Sequence, residues 1–264
     1  MRLLERNGSD AVRYWAANGR PGTDTAFDEG QMKIGRRLAI KLLNASRFAL
    51  GLGGDDVDAA PPADAITEPL DLAMLTRLAA LVDEATAAFE GYDYARSLER
   101  TEAFFWAFCD DYLELVKGRA YGARGGEAAA SAQAALASAL SALLRLFAPF
   151  LPFVAEEVWS WWQDGSIHTA SWPTADEVRA PAGDGDPAVY EVAAEVLGEI
   201  RKAKTEAGAS LRADVERVVV RDTAERIALV DQVAADLKEA GSVAELTTGT
   251  ADAFAVDVTL AASS

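Results

Sequence analysis

The sequence predicts a mostly α-helical protein, a helical bundle followed by a small C-terminal α/β unit. Three observations predict it. Apolar residues recur at three- and four-residue steps through most of residues 32–163, the spacing of amphipathic helices. Valine-rich alternating runs of strand type appear only beyond residue 187. Between the two lies PAGDGDP at 181–187, the clearest linker in the chain. A length of 264 residues is a soft prior for two domains, at about 100–200 residues each.

The first long helix covers residues 32–52, with Ile34, Leu38, Leu42, Ala45 and Ala49 at helical spacing and no proline. Lys33, Arg37, Lys41, Asn44 and Phe48 fall on another face of it. The glycines at 51, 53 and 54 end it, and residues 55–65, rich in Asp, Ala and Pro, read as a loop. A second helix starts near Thr67 with Pro69 in its first turn and stops at Gly91. Residues 94–117 form a third and residues 127–147 a fourth. Pro149 and Pro152 force a bend before a short helix carrying Val154, Val158, Trp159 and Trp162. Residues 166–173 read as a short extended piece. After the linker come a helix at 189–207, a strand at 215–221, a helix at 223–238, and strands at 243–247 and 254–260.

Composition removes much chemistry. One cysteine (Cys109) and one histidine (His168) exclude a disulfide framework, a Cys/His-rich zinc site, and the HExxH and CxxCH motifs. There is no P-loop, and the glycines at 51–54 follow a helix, unlike a dinucleotide fingerprint. Asp110–Asp111 and Glu156–Glu157 are neighbours on helices that diverge by about 100°, so neither pair converges on one site. Cys109 and most of the tryptophans, Trp106, Trp159, Trp161 and Trp162 among them, read as core. The uncharged run 128–144 is too short and too rich in Ala and Ser to span a bilayer, which takes about 20 apolar residues. With no export signal at the N-terminus, the expectation is a cytoplasmic protein that makes no membrane contact.

Net charge is −17, which taken alone argues against nucleic acid. Its distribution reverses that expectation. Residues 1–54 carry nine basic and five acidic side chains, whereas residues 55–114 carry three and fifteen. From residue 31 to 54 there is no acid, while Lys33, Arg36, Arg37, Lys41 and Arg47 supply five positive charges. Lys117, Arg119 and Arg124 make a second basic run, and Arg201, Lys202, Lys204 and Arg212 a third. Each reads equally as an anion contact or a solvated helix face. Phe48, at the end of the first strip and on its face, suits a stacking platform beside phosphate contacts.

The strings NGSDAVRYW at 7–15, TDTAFDE at 23–29 and QMKIGRRLAIKLLNASRF at 31–48 resemble the valyl-tRNA synthetase family, in the segment that follows the class I catalytic domain. FWAFCDDYLELVK at 105–117 and APFLPFVAEEVW at 148–159 resemble that family's anticodon-binding helical domain. IRKAKTEAG at 200–208 fits its C-terminal portion. The resemblance implies a stem-contact junction at 1–30, an anticodon-binding bundle of the class I type at 31–180, and the α/β unit at 187–264. It implies valine tRNA as the partner, contacted by Lys33, Arg36, Arg37, Lys41, Asn44, Arg47 and Phe48, with Arg13 and Arg20 toward the inner corner of the tRNA. HIGH cannot be present, since the only histidine stands between Ile167 and Thr169, and KMSKS is absent too. The catalytic Rossmann domain, the editing domain and the coiled-coil arm are also missing. The expectation is therefore a C-terminal piece of a synthetase, a monomer that holds no catalytic residue, metal or cofactor. It is expected to be inactive alone, while the full-length family uses ATP and Mg²⁺. A helical protein-interaction module, its basic strip paired with acidic residues of 55–114, is the alternative.

Overall fold

The computed structural model describes residues 2–20, 22–51 and 61–262. Helices α1 (Arg2–Asn7), α2 (Ser9–Ala17) and α3 (Glu29–Gly51) come first. Helices α4 (Pro69–Glu90), α5 (Tyr94–Ala107), α6 (Leu113–Ala120), α7 (Gly126–Phe147), α8 (Pro152–Trp159) and α9 (Ala175–Ala182) follow. The chain ends with α10 (Pro187–Glu206), β1 (Val215–Asp222), α11 (Ala224–Gly241), β2 (Val243–Thr250) and β3 (Ala255–Leu260). Most of the expected loop at 55–65 lies outside the described residues; its end is a 3₁₀ turn, Ala63–Ala65.

Four expectations need correction or refinement. The helix expected at 94–117 is α5 and α6 joined by a π turn, Phe108–Tyr112. Within it the Asp110 carbonyl accepts from Arg201 Nη2 at 2.6 Å, a contact from a distant part of the chain that the sequence does not show. Residues 166–173 contain a 3₁₀ turn (Ile167–Thr169) because the Glu156 carboxylate accepts from both Ser166 Oγ and the Ile167 N–H at 2.9 Å. The Pro/Gly stretch at 181–187 lies at a boundary between the two compact units along the chain, as a linker should, and its turn is packed. Thr76 Oγ1 donates to the Gly185 carbonyl at 2.9 Å, and a Cβ on Gly185 would lie 2.6 Å from the Leu72 backbone. Finally, α7 has the length and apolarity to cross a membrane, contrary to the reading of 128–144, but its most apolar window is 67% buried inside the protein. It is a core helix.

The described residues form two compact units, one within 1–63, 77–107 and 133–181, the other within 64–76, 108–132 and 182–264. In the first, Gly8 (φ 86°) makes the turn between α1 and α2. Asp10 then accepts from the Phe153 and Val154 N–H groups at 3.1 and 2.9 Å, capping α8 from a distant part of the chain. Phe105 and Phe147 meet edge to face at 5.4 Å, and Phe89 lies 5.6 Å from Phe150 and 5.0 Å from Trp172.

Helix α3 crosses α2 where Gly35 is pressed against Tyr14. A Cβ on Gly35 would sit 2.5 Å from Tyr14 Cβ. In an open helix Gly→Ala gains about 0.5–1 kcal/mol of backbone entropy. Here the overlap reverses the sign, and Gly35→Ala is expected to lower stability by about 1–3 kcal/mol. A urea melt checks it; a more stable Gly35→Ala chain would mean that α2 and α3 separate at no cost.

The second unit holds a three-stranded sheet of order β2-β1-β3. Strand β1 runs parallel to β2 (Val218↔Leu246) and antiparallel to β3 (Val218↔Val258). Helix α11, capped by the Thr223 hydroxyl, connects β1 to β2 and packs against both, as a parallel pair requires. Val218, Val220, Val230 and Leu237 are buried there. The unit also buries charge. Arg119 is fully buried and grips Asp71 with both terminal nitrogens (2.6 and 2.8 Å) while its Nε donates to Asp236 at 2.9 Å. Tyr112 and Ser131 also donate to Asp71, at 2.8 and 2.7 Å.

Candidate nucleic-acid interface

One face of α3 is closed by Met32, Gly35, Leu38, Leu42, Ala45 and Ser46, all buried. That stripe turns the opposite face outward, and Lys33, Arg36, Arg37, Asn44 and Arg47 are exposed on it. From Lys33 to Arg47 the row runs about 21 Å at the helical rise of 1.5 Å per residue. Lys41 and Phe48 lie at its flank, half-buried. Arg36 donates to the Arg6 carbonyl at 3.4 Å. Among the described residues neither Lys33 nor Arg37 has an ion pair, so both charges face solvent.

Two cations of α3 are held against indoles. Lys41 Nζ is 5.7 Å from the Trp106 ring centroid, and the Arg47 guanidinium carbon is 5.8 Å from that of Trp161. Each indole N–H is fixed by a glutamate one turn earlier. Trp106 Nε1 donates to Glu102 at 3.1 Å and Trp161 Nε1 to Glu157 at 3.2 Å. The other oxygen of Glu102 accepts from the Tyr14 hydroxyl at 2.6 Å. Burial and the Glu102 carboxylate push that hydroxyl well above the ordinary tyrosine range, so it remains a donor.

Arg13 and Arg20 are exposed but engaged. Arg13 donates to the Pro149 carbonyl at 2.8 Å, and Arg20 lies 3.4 Å from Asp93 and 3.8 Å from Glu99. The other two basic runs are not surface strips. Arg119 is the buried hub already described, and Arg124 reaches Glu68 and Asp236, both at 3.1 Å. Lys204 is buried, donating to the Leu211 and Gly241 carbonyls at 3.0 and 2.8 Å; burial lowers its pKa. Arg201 pairs with Asp111 at 3.1 Å and Lys202 with Glu199 at 3.1 Å. Of the tryptophans read as core, Trp159 is buried, whereas Trp106, Trp161 and Trp162 are half-buried. The glutamate four residues before Trp106, and again before Trp161, is the sequence signal that could have found the two pinned indoles. Cys109 is buried, and His168 is exposed beside Glu156. Among the described residues no group of three His, Cys, Asp or Glu side chains is placed to hold a metal ion.

A row of solvent-facing cations on one helix, bordered by pinned indoles, gives this helical domain a face whose charge complements a polyanion. Residues 71–220 match the family described as the anticodon-binding domain of tRNA ligase, and the chain belongs to that family. It is 60% identical over 262 residues to the valine–tRNA ligase of Thermobifida fusca (strain YX), which covers 98% of this chain and 29% of that protein. Identity to the valine–tRNA ligase of Salinispora tropica is 54% over 266 residues, covering 96% of this chain and 31% of that one. The resemblance to the valyl-tRNA synthetase family is thus borne out. The chain spans about three tenths of the length of these relatives. Among solved structures, the ternary complex of Agrobacterium radiobacter K84 LeuRS with tRNA and LeuAMS matches with a TM-score of 0.51 and 17% identity, over 67% of this chain and 21% of that one. It shares the fold. Helix α3 precedes the residues matched by the family, but the alignments with the ligases extend over nearly the whole chain.

Proposed function

We propose that this chain is the tRNA-docking portion of a valine–tRNA ligase and binds valine-acceptor tRNA through the exposed face of α3. The observation that carries this is the row Lys33, Arg36, Arg37 and Arg47, displayed by the buried stripe behind it, in a chain so similar to valine–tRNA ligases. Arginine and lysine take phosphate oxygens and position the RNA, while Asn44 and Phe48 on the same helix stand where unpaired bases would be met. Arg13 and Arg20 would lie nearer the tRNA's inner corner. ATP and Mg²⁺ serve the complete ligases, and we assign their chemistry to the catalytic part of the ligase and not to this chain. No adenylation step is therefore assigned to this chain, and the catalytic and editing parts of the ligase would be its working partners in the cytoplasm.

The test compares binding of the purified chain to valine tRNA, to the same tRNA with substituted anticodon bases, and to an unrelated tRNA. Valine tRNA is expected to bind most tightly, and the chain is expected to give no valine-dependent ATP–pyrophosphate exchange. Equal binding to all three RNAs would remove anticodon recognition, and measurable exchange would overturn the assignment of a docking role without chemistry.

A further inference from the structure

We propose that Trp106 and Trp161 are base-stacking platforms on either flank of the α3 cation row, each set in place by the glutamate one turn before it. This rests on the tRNA-docking role and names residues within it. A tryptophan that serves only as core is represented here by Trp159, which is buried, packs against Trp162 and leaves its N–H without a partner. Trp106 and Trp161 differ on each count. Both are half-buried, both have the indole N–H committed to a carboxylate, and both have a ring face against a cation of α3.

Fixing an indole at its N–H edge and at its face removes rotamer freedom before any ligand arrives, so little ordering remains to oppose binding. Lys41 and Arg47 lie about 120° apart around the helix axis, with Lys33 and Arg37 between them. The two rings therefore bracket Lys33 and Arg37. The glutamates Glu102 and Glu157 place negative charge at the indole edges. A phosphate is repelled there, and a nucleotide reaching either ring is favoured to do so with its base, while its phosphate moves toward the row. The ligand chemistry is that of a single-stranded RNA loop, whose unstacked bases are free to leave the duplex stack.

The experiment uses the full chain with a stem-loop RNA carrying the valine anticodon and with a fully paired duplex of the same stem. Trp106→Leu and Trp161→Leu are each expected to weaken stem-loop binding by about tenfold or more. Duplex affinity and the salt slope should stay as in the parent. Glu102→Gln and Glu157→Gln, which keep an acceptor for the indole N–H, should retain more stem-loop affinity than Glu102→Ala and Glu157→Ala. Melting curves accompany each variant. Where a leucine variant melts early, Trp106→Phe and Trp161→Phe are titrated instead, and each is expected to lose part of the indole quenching caused by the stem-loop. Parent-like stem-loop affinity in well-folded leucine variants, or undiminished quenching in both phenylalanine variants, overturns the platforms. If Lys33→Ala/Arg37→Ala weakens binding in that same series, the docking role survives their loss. Failure of the parent chain to bind valine tRNA or the stem-loop defeats the docking role, and the platforms fall with it.

Discussion

Arg119→Met is expected to destabilise the second unit by about 3–5 kcal/mol, because it strips two buried carboxylates of their shared counter-ion. The guanidinium presents a planar fork that matches Asp71 with two parallel hydrogen bonds, and its Nε still reaches Asp236. Asp71 is completely enclosed and is further satisfied by the Tyr112 and Ser131 hydroxyls. Asp236 keeps Arg124 at 3.1 Å, yet burial already raises its pKa with Arg119 present. Without Arg119, one or both acids must bind a proton or draw in water, and either route costs free energy. Arg119→Lys restores the charge but not the fork, so it should fall between the parent and Arg119→Met. Urea unfolding measures this through the midpoint at constant m-value. A loss below about 1 kcal/mol for Arg119→Met would show that the site is hydrated and that the cluster contributes like a surface pair.

Arg119 also shows what a sequence hides. Its segment contains Lys117 and Arg124, and local pattern marks a basic run. Its partners stand 48 and 117 residues away, and no periodicity records that Asp71 and Asp236 meet there. Lys204 was hidden in the same way, since its acceptors are backbone carbonyls. Helix α3 was legible because both of its faces are written within one helix. Its apolar stripe has the helical period, and its cations avoid that stripe. Even so, the stripe lies closer to Met32, Gly35 and Ser46 than to the expected Ile34 and Ala49, which are half-buried. Gly35 has no side chain to register on a hydrophobic pattern, yet it is the point of closest approach to Tyr14. The strands were legible from β-branched alternation, whereas the π turn coincides with a contact from Arg201, 91 residues from Asp110, that no local pattern records.

Lys33→Ala/Arg37→Ala is expected to reduce the salt dependence of tRNA binding, and to weaken valine tRNA and other tRNAs alike. Each cation that neutralises a phosphate releases counter-ions, contributing about 0.7–0.9 to the slope of log K against log salt. Removing two such contacts should lower the slope by about 1.4–1.8. If that contribution vanishes near 1 M salt, the affinity lost at 0.1 M is about 25–60-fold, shrinking as salt rises. These two residues isolate the effect because neither has an ion pair among the described residues, whereas Lys41 and Arg47 also touch indoles. Phe48→Ala should behave differently. Stacking of one base is worth about 1–3 kcal/mol and releases no ions, so affinity for valine tRNA should drop at every salt concentration with the slope kept. Phe48 is half-buried, and a melting curve beside each isotherm separates lost stacking from lost packing. A double variant that binds tRNA with the parent's affinity and slope would show that the outward face of α3 is only solvated, and the phosphates would then have to be sought on another surface.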